Sequence, residues 1–237
     1  MSRPGNVDAP GVRVGPGQWS GDDVAERIVA LWGDAPPRCG ATRVVAIDGL
    51  SGAGKTTLAS LVAARLGAPV VHMDDLYPGW DGLAAGVAYL VDAVLRPLAV
   101  GEPARYRAWD WADERRGAVR SLVPPPTLVL EGCGASVGEA STFASVRVWV
   151  EAPIEIRRAR GLARDGEAFR PYWQCWAAQE EAVFAADGDL AFLHGLQQGG
   201  LRARRGAVDL VRQHDVGEDR PRAEGEAAVR GGIDHAA

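Results

Sequence analysis

Residues 44–57 have the sequence VVAIDGLSGAGKTT, in which a short apolar run passes directly into a glycine-rich segment. The apolar run predicts a strand buried on both faces, as in a parallel sheet. Residues 49–56 match the pattern G-x-x-x-x-G-K-[ST] at every fixed position. Between a strand and a helix, such a loop surrounds phosphates with main-chain N–H groups and with the positive end of the helix. The segment therefore predicts a phosphate-binding P-loop.

Lys55 carries the most specific expectation in this loop, because it is the only lysine among 26 basic residues. A compact ammonium suits the β- and γ-phosphates of ATP, and the hydroxyl of Thr56 suits Mg²⁺. The alternative, a glycine-rich turn without a phosphate-binding role, would not require a lysine followed by a threonine. Thr57 is counted among the ATP-contacting residues because it directly follows Thr56. Its side chain is expected to pack in the first helical turn. The expected ATP contacts are Gly49, Ser51, Gly52, Ala53, Gly54, Lys55, Thr56 and Thr57.

The order of elements around the loop predicts an α/β fold. A helix is expected from about 56 to 66 and a second strand over 69–73, which is the order of a parallel sheet. Later strands are predicted at 127–130, 146–150 and 207–211, and helices at 83–95, ended by Pro97, and at about 171–185. We therefore expect a parallel β-sheet flanked by helices, the three-layer αβα arrangement of a P-loop NTPase.

Three segments are expected along the chain. Residues 1–19 are rich in proline and glycine and predict a disordered leader. Ser20 and Asp23 form a capping-box pattern that begins a helix, so the P-loop domain is expected over 20–213. Residues 214–237 contain almost no large apolar side chain and predict a disordered tail.

Composition excludes several classes of function. The formal net charge of −5 argues against a nucleic-acid partner, which would require a basic surface. No apolar run is long enough to span a membrane. The three cysteines include no C-x-x-C pair and are expected to be reduced thiols in the cytoplasm. The oligomeric state is not readable from the sequence.

Other P-loop classes are excluded by what the chain lacks. Asn6 is the only asparagine and Lys55 the only lysine, so the Asn-Lys-x-Asp motif with which GTPases recognise guanine is absent. A single Glu131 followed by glycine ends the third predicted strand, where a motor ATPase would have Asp and then Glu. Glu131 is interpreted as a nucleotide-site carboxylate, with a structural strand-end carboxylate as the alternative.

Asp74 and Asp75 follow the second predicted strand, at the edge of the sheet where open α/β folds bind ligands. One of them is a candidate general base for an attacking hydroxyl. The alternative is that the pair merely opens a turn before Pro78 and Gly79. His72, which precedes them, is expected to be a packed strand residue.

Together, the loop at 49–56, the run Asp74-Asp75-Leu76-Tyr77, the pair Glu131-Gly132 and the helix around Trp173 resemble the uridine kinase and nicotinamide riboside kinase group. The resemblance covers roughly residues 43–188. It implies that Asp74 is the base and that Glu131 lies near the metal and the acceptor. The metal-site residues that it implies are Thr56, Asp74 and Glu131.

The same resemblance implies a mobile lid over about 154–170. Arginines on this segment are expected to stabilise charge on the transferring group, with a solvated basic helix face as the alternative. Arg160 and Arg164, one helical turn apart, are assigned to catalysis together with Lys55 and Asp74.

An acceptor pocket is predicted around residues 106–111, an apparently irregular stretch with large aromatic side chains. Trp80 and Asp81 are further candidates, and Trp173 and Trp176 are assigned either to this pocket or to the core. The residues expected to contact the substrate are Asp74, Tyr77, Arg107, Trp109, Asp110 and Glu131.

The leading hypothesis is an ATP- and Mg²⁺-dependent kinase that phosphorylates a hydroxyl of a small molecule. A nucleoside or ribosyl acceptor is favoured over a sugar acid, a vitamin precursor or a nucleoside monophosphate. The competing hypothesis is a non-catalytic ATP-binding module that controls a partner. Such a module would bind ATP without phosphorylating any small hydroxyl compound.

Overall fold

The structure is a computed structural model that describes residues 20–187 and 209–212. Its strands are β1 Arg43–Asp48, β2 Val70–His72, β3 Ala104–Asp110, β4 Arg115–Leu122, β5 Thr127–Glu131, β6 Val146–Glu151 and β7 Asp209–Arg212. Its helices are α1 Gly21–Asp34, α2 Lys55–Leu66, α3 Leu83–Leu90, α4 Arg96–Ala99, α5 Ala140–Phe143, α6 Ile154–Phe169 and α7 Trp173–Ala186.

Five of these strands form one parallel sheet in the order β2-β5-β1-β6-β7. Along β1, Val44 and Ala46 join one apolar cluster, while Val45 and Ile47 join another. The first cluster includes residues of α3 and α7, and the second includes residues of α1 and α2. Because both faces of β1 are covered, its apolar residues are continuous rather than alternating. The predicted three-layer αβα fold is confirmed.

The predicted start of α1 is also confirmed. The Ser20 hydroxyl accepts a hydrogen bond from the Asp23 main-chain N–H at 3.2 Å, and the Asp23 carboxylate accepts one from the Ser20 N–H at 2.9 Å. This reciprocal pair satisfies two N–H groups that have no partner within the helix.

The predicted helical segment over 83–95 is confirmed, but Pro97 does not end the helical path. A π-helical turn, Val91–Leu95, follows α3 and leads into α4, which contains Pro97 in its first turn. Proline is tolerated in the first turn of a helix, where an N–H group has no intrahelical partner. The π turn therefore lets the helical path continue to Ala99.

The expectation that residues 106–111 are irregular was also wrong. β3 and β4 form an antiparallel hairpin in which Tyr106 pairs with Arg120. On β3, Ala104 and Tyr106 are buried while Arg105 and Arg107 are exposed, which is the alternation of a strand covered on one face. Asp110 begins the connecting turn, where its carboxylate accepts hydrogen bonds from the N–H groups of Ala112 and Asp113.

Several expectations concern residues beyond those described. The predicted leader over 1–19 and tail over 214–237 lie outside the described residues. β7 pairs in parallel with β6, and residues 207–208 of the predicted last strand also fall outside. Within the described ranges, no helix is long and apolar enough to cross a membrane.

Candidate active site

The carboxyl ends of β1, β2 and β5 meet at one edge of the sheet. The register places Glu131 of β5 beside Ile47 of β1 and beside His72 of β2. Residues 49–54 leave this edge from β1, and α2 begins at Lys55. The predicted P-loop therefore lies at the end of the parallel sheet where α/β folds bind ligands.

Glycine is required in this loop because the main chain of other elements comes very close. A Cβ atom on Gly49 would lie 2.1 Å from the Val150 carbonyl oxygen, and one on Gly52 would lie 2.2 Å from that of Arg157. Both glycines also have positive φ angles, 141° and 77°, which side chains disfavour. The loop is thus held tightly against β6 and α6.

Asp48 fixes the base of the loop, a role that was not predicted. Its buried carboxylate accepts hydrogen bonds from the N–H groups of Gly49 at 2.7 Å and of Gly134 and Ser136, each at 2.8 Å. The P-loop and the segment after β5 are therefore held together through one side chain. The available sequence signal was a charged residue at the end of an apolar strand.

Lys55 is almost completely buried, with 7% of its surface exposed. Its Nζ atom donates to the Leu50 carbonyl oxygen at 3.0 Å and lies 3.5 Å from the Cys133 Sγ atom. Burial by itself would lower the pKa of Lys55, but the nearby Cys133, Glu131 and Glu180 outweigh it and raise that pKa. The ammonium therefore remains charged, as phosphate binding requires.

Glu131 links the P-loop to β2. The Thr56 hydroxyl lies 3.3 Å from its Oε1 atom, and the His72 Nδ1 atom lies 2.6 Å from the same oxygen. Burial would raise the pKa of Glu131, but the hydrogen bond from His72 and the charge of Lys55 hold it below the usual value. That hydrogen bond raises the pKa of His72. His72 is thus a partner of the site carboxylate as well as a strand residue.

Thr56 and Glu131 offer the oxygen ligands that Mg²⁺ prefers. The described residues contain no group of three or more His, Cys, Asp and Glu side chains able to hold a metal ion. A magnesium ion here would therefore take most of its ligands from phosphates and water, which is its usual mode of binding with nucleotides. The residues present fit that mode.

Asp74 and Asp75 occupy a short 3₁₀ turn, Met73–Asp75, directly after β2. The Asp75 carboxylate forms an ion pair with Arg120 of β4. The main-chain carbonyl of Asp74 accepts a hydrogen bond from the Trp111 indole at 3.0 Å. These contacts attach the β3–β4 hairpin to the turn that carries the candidate base.

A cavity of about 760 Å³ opens beside the P-loop. Its lining residues are Ser51, Asp74, Asp75, Tyr77, Trp80, Trp111, Glu114, Arg164, Pro171, Tyr172 and Trp176. The predicted site residues Asp74, Tyr77 and Arg164 thus come together beside Ser51. The Tyr77 hydroxyl donates to the Cys133 carbonyl oxygen at 2.8 Å, so its polar group is already engaged.

Four predicted substrate residues do not line this cavity: Glu131 at the end of β5, and three residues of the β3–β4 hairpin. Arg107 donates to the Gly117 carbonyl oxygen, Asp110 stabilises the hairpin turn, and the Trp109 ring lies near the Arg116 guanidinium. Their hairpin instead contributes Trp111 and Glu114, which lie at the turn. The strand register of the hairpin determines which of its side chains reach the cavity.

Aromatic rings form one wall of the cavity. Trp80 and Tyr172 stack with ring centroids 4.9 Å apart and 7° between their planes, and Trp111 lies 4.7 Å from Trp80. Trp176 is 5% exposed and belongs both to the core and to the cavity lining, so both of its proposed assignments apply. Trp173 packs partly buried against the same core.

α6 carries arginines toward the P-loop. Arg157 is buried and donates to the Ala152 and Ser51 carbonyl oxygens at 3.2 and 3.3 Å. The Arg160 Nη1 atom is buried and has no hydrogen-bond partner within the described part of the chain. Arg164 lines the cavity. Arg160 does not line the cavity, so of these arginines the structure brings Arg157 to the P-loop and Arg164 to the cavity.

Glu180 of α7 was not predicted, yet it touches the P-loop directly. Its Oε1 atom accepts hydrogen bonds from the Ser51 N–H at 2.6 Å and from the Trp176 indole at 3.1 Å, and it lies 3.1 Å from the Cys133 Sγ atom. The side chain is buried. Its position in a helix of mixed composition gave no sequence signal of this contact.

Comparisons with known proteins agree with this geometry. The chain is 30% identical over 130 residues to cytidylate kinase from two strains of Pseudomonas aeruginosa, a match that covers 54% of this chain. It spans 57% of the length of these curated relatives. No protein-family model matches the chain.

Among solved structures, that of a "Possible Uridine Kinase" from Bacillus stearothermophilus superposes with a TM-score of 0.51 at 19% identity. The superposition covers 79% of this chain and 99% of that one. The two proteins therefore share one fold, a parallel sheet between layers of helices. The resemblance to the uridine kinase group is confirmed at the level of the fold.

Proposed function

We propose that this chain is an ATP-dependent kinase that transfers the γ-phosphoryl group of Mg·ATP to a hydroxyl of a small molecule, favouring a nucleoside or ribosyl acceptor. The observation that carries this proposal is the cavity itself. It runs from Ser51 of the P-loop to Asp74 and an aromatic wall. A phosphate donor and an acceptor would therefore meet in one cavity.

Each polar group has a defined task in this reaction. The main-chain N–H groups of the P-loop and the Lys55 ammonium hold the phosphates, and Arg160 and Arg164 stabilise negative charge during transfer. Asp74 accepts the proton of the attacking hydroxyl while the oxygen–phosphorus bond to ADP breaks and the bond to the acceptor forms. Magnesium bound by Thr56 and Glu131 would neutralise phosphate charge, with Asp74 as a further predicted ligand.

The aromatic wall supports an acceptor with a flat ring. The rings of Trp80, Trp111 and Tyr172 offer large apolar faces, and Tyr172 is 39% exposed. Stacking on such faces binds planar groups such as nucleobases. Carboxylates at Asp74 and Glu114 in the same cavity can accept hydrogen bonds from ribose hydroxyls.

A nucleoside monophosphate kinase is the second candidate, favoured by the similarity to cytidylate kinase. Its acceptor would bring a phosphate dianion into the cavity. Arg164 is the only basic residue among those that line it, beside Asp74, Asp75 and Glu114. Repulsion from these carboxylates is the reason why we favour an acceptor without a phosphate.

The proposal includes a cytoplasmic location, with neither nucleic acid nor membrane as a partner. In the described part of the chain, Cys39, Cys133 and Cys175 are all free thiols. Free thiols are typical of a reducing compartment.

Release of ADP from Mg·ATP tests the proposal when it is screened against nucleosides, nucleoside monophosphates and sugar derivatives. We expect turnover with at least one nucleoside and its loss in Lys55→Ala. Turnover only with monophosphates would establish the second candidate. ATP binding without any phosphorylated product would instead identify a non-catalytic ATP-binding module.

A further inference from the structure

The Glu180 carboxylate has no task in the reaction proposed above, although it lies inside the phosphate-binding loop. It is 3% exposed and accepts a 2.6 Å hydrogen bond from the Ser51 main-chain N–H. Burying a carboxylate is costly unless it is paired and hydrogen-bonded. Glu180 meets this condition at the P-loop, whose main-chain N–H groups are suited to bind anions.

A main-chain N–H group can donate to a carboxylate oxygen or to a phosphate oxygen in the same way, because both oxygens are negatively charged acceptors. Glu180 also contributes to the negative charge around Lys55. The P-loop and Lys55 are therefore already partly neutralised by a residue of the chain itself.

We propose that Glu180 acts as an internal anion that the phosphates of the nucleotide must displace from the Ser51 N–H, and that it thereby sets the affinity for Mg·ATP. This inference rests on the proposed function only in that a nucleotide binds at the P-loop. Two like charges cannot share the loop without repulsion. Nucleotide binding therefore moves the Glu180 side chain.

The movement reaches the acceptor cavity through α7. The Trp176 indole donates to Glu180, and its ring lines the cavity. One turn away from Trp176, the Gln179 amide donates to the Trp80 carbonyl oxygen at 2.7 Å and accepts from the Leu83 N–H at 3.1 Å. Displacement of Glu180 would therefore alter the aromatic wall, which makes Glu180 a positioning residue for both substrates.

Calorimetric titration with Mg·ATP tests the inference directly in the full chain. Glu180→Gln keeps the size of the side chain and removes its charge, so we expect binding about tenfold tighter than in the wild type, or about 1.4 kcal/mol. The matched control is Glu181→Gln, which makes the same change at an exposed neighbouring position on α7. We expect its affinity to equal that of the wild type.

Unchanged or weaker binding by folded Glu180→Gln, with normal binding by the wild type, would overturn the inference and leave the proposed function intact. A wild-type protein that bound no Mg·ATP would overturn both.

A second measurement serves if Glu180→Gln fails to fold. The emission of Trp176, taken as the difference between the wild type and Trp176→Phe, should change when Mg·ATP is added. Equal changes in both proteins would mean that the indole keeps its surroundings and that Glu180 is not displaced.

Discussion

The Thr56 hydroxyl lies 3.3 Å from the Glu131 Oε1 atom, although the two residues are 75 positions apart in the chain. The contact joins the first turn of α2 to the end of β5, across two neighbouring strands of the sheet. Because His72 binds the same oxygen, Glu131 is already oriented before any ligand arrives. This arrangement can be tested one residue at a time.

Replacing Glu131 with Gln should raise the Mg²⁺ concentration that turnover requires without removing nucleotide binding. The amide keeps the hydrogen bond to Thr56 but loses the charge that attracts a divalent cation. Loss of one such electrostatic contact typically lowers turnover about 10²–10³-fold. The measurement is the rate of ADP release as a function of Mg²⁺ concentration.

Glu102→Gln is the control for this variant, since Glu102 is exposed and does not line the cavity. Its magnesium dependence should be that of the wild type. An unaltered Mg²⁺ profile in Glu131→Gln would mean that Glu131 is only a structural strand-end carboxylate.

Lys55→Ala should abolish turnover while the protein remains folded. The ammonium donates to the Leu50 carbonyl oxygen and lies 3.5 Å from the Cys133 Sγ atom, so the variant loses two local contacts but no strand or helix. We expect a rate loss of at least about 10²–10³-fold, measured as initial rates beside a thermal melt. Lys55→Arg should not restore the rate, because a planar guanidinium does not replace a compact ammonium. Near-normal activity in either variant would contradict the assignment.

Asp74→Asn and Asp75→Asn should separate the general base from its neighbour. Loss of the base at Asp74 is expected to lower kcat about 10²–10⁴-fold. Asp75→Asn breaks the ion pair with Arg120 and should mainly loosen the β3–β4 hairpin, seen as faster amide exchange there. The reverse pattern in kcat would make Asp75 the base.

Gly52→Ala should strongly destabilise the fold, because the new Cβ atom would meet the Arg157 carbonyl oxygen at 2.2 Å and φ is 77°. We expect a loss of about 2–5 kcal/mol in the free energy of unfolding. Gly67→Ala, which has φ of 58° and open space around it, isolates the backbone cost of about 1–2 kcal/mol. If urea unfolding gave the same loss of unfolding free energy for Gly52→Ala and Gly67→Ala, the loop would have to move to accommodate the added Cβ atom.

Asp23→Asn should lower stability near neutral pH and have little effect in acid. Hydrogen bonds from the Ser20 N–H and hydroxyl lower the pKa of Asp23 in the folded state. The contribution is therefore present above the unfolded-state pKa and is lost as the pH falls through the lower folded-state value. Melting temperatures of both proteins from pH 7 down to pH 2 should converge at the acidic end, and a constant difference would contradict this account.

Local patterns were sufficient for the parts of the site that are continuous in sequence. The P-loop, the 3₁₀ turn with Asp74 and the carboxylate at Glu131 all follow directly after apolar strands. Parallel strands bring their carboxyl ends to one edge, so the order of elements already placed these residues near one another. The roles assigned to them remain predictions.

The missed features share a different origin. Proline predicts a helix end at Pro97, and no local pattern indicates the π turn that precedes it. Arginines interrupt the apolar pattern of β3, so residues 106–111 are predicted to be irregular. Asp48 and Glu180 are buried charges whose partners lie far along the chain. No periodicity of the local sequence identifies such distant partners.

The amino-acid sequence alone determined that a phosphate-binding loop joins a buried strand to a helix in a parallel α/β domain, because glycine spacing, one lysine and apolar periodicity are local properties. Only the tertiary structure determined which side chains of the hairpin and of α7 face that loop. Burial and charge pairing depend on contacts between segments that are distant in the chain, and those contacts exist only once the layers have packed.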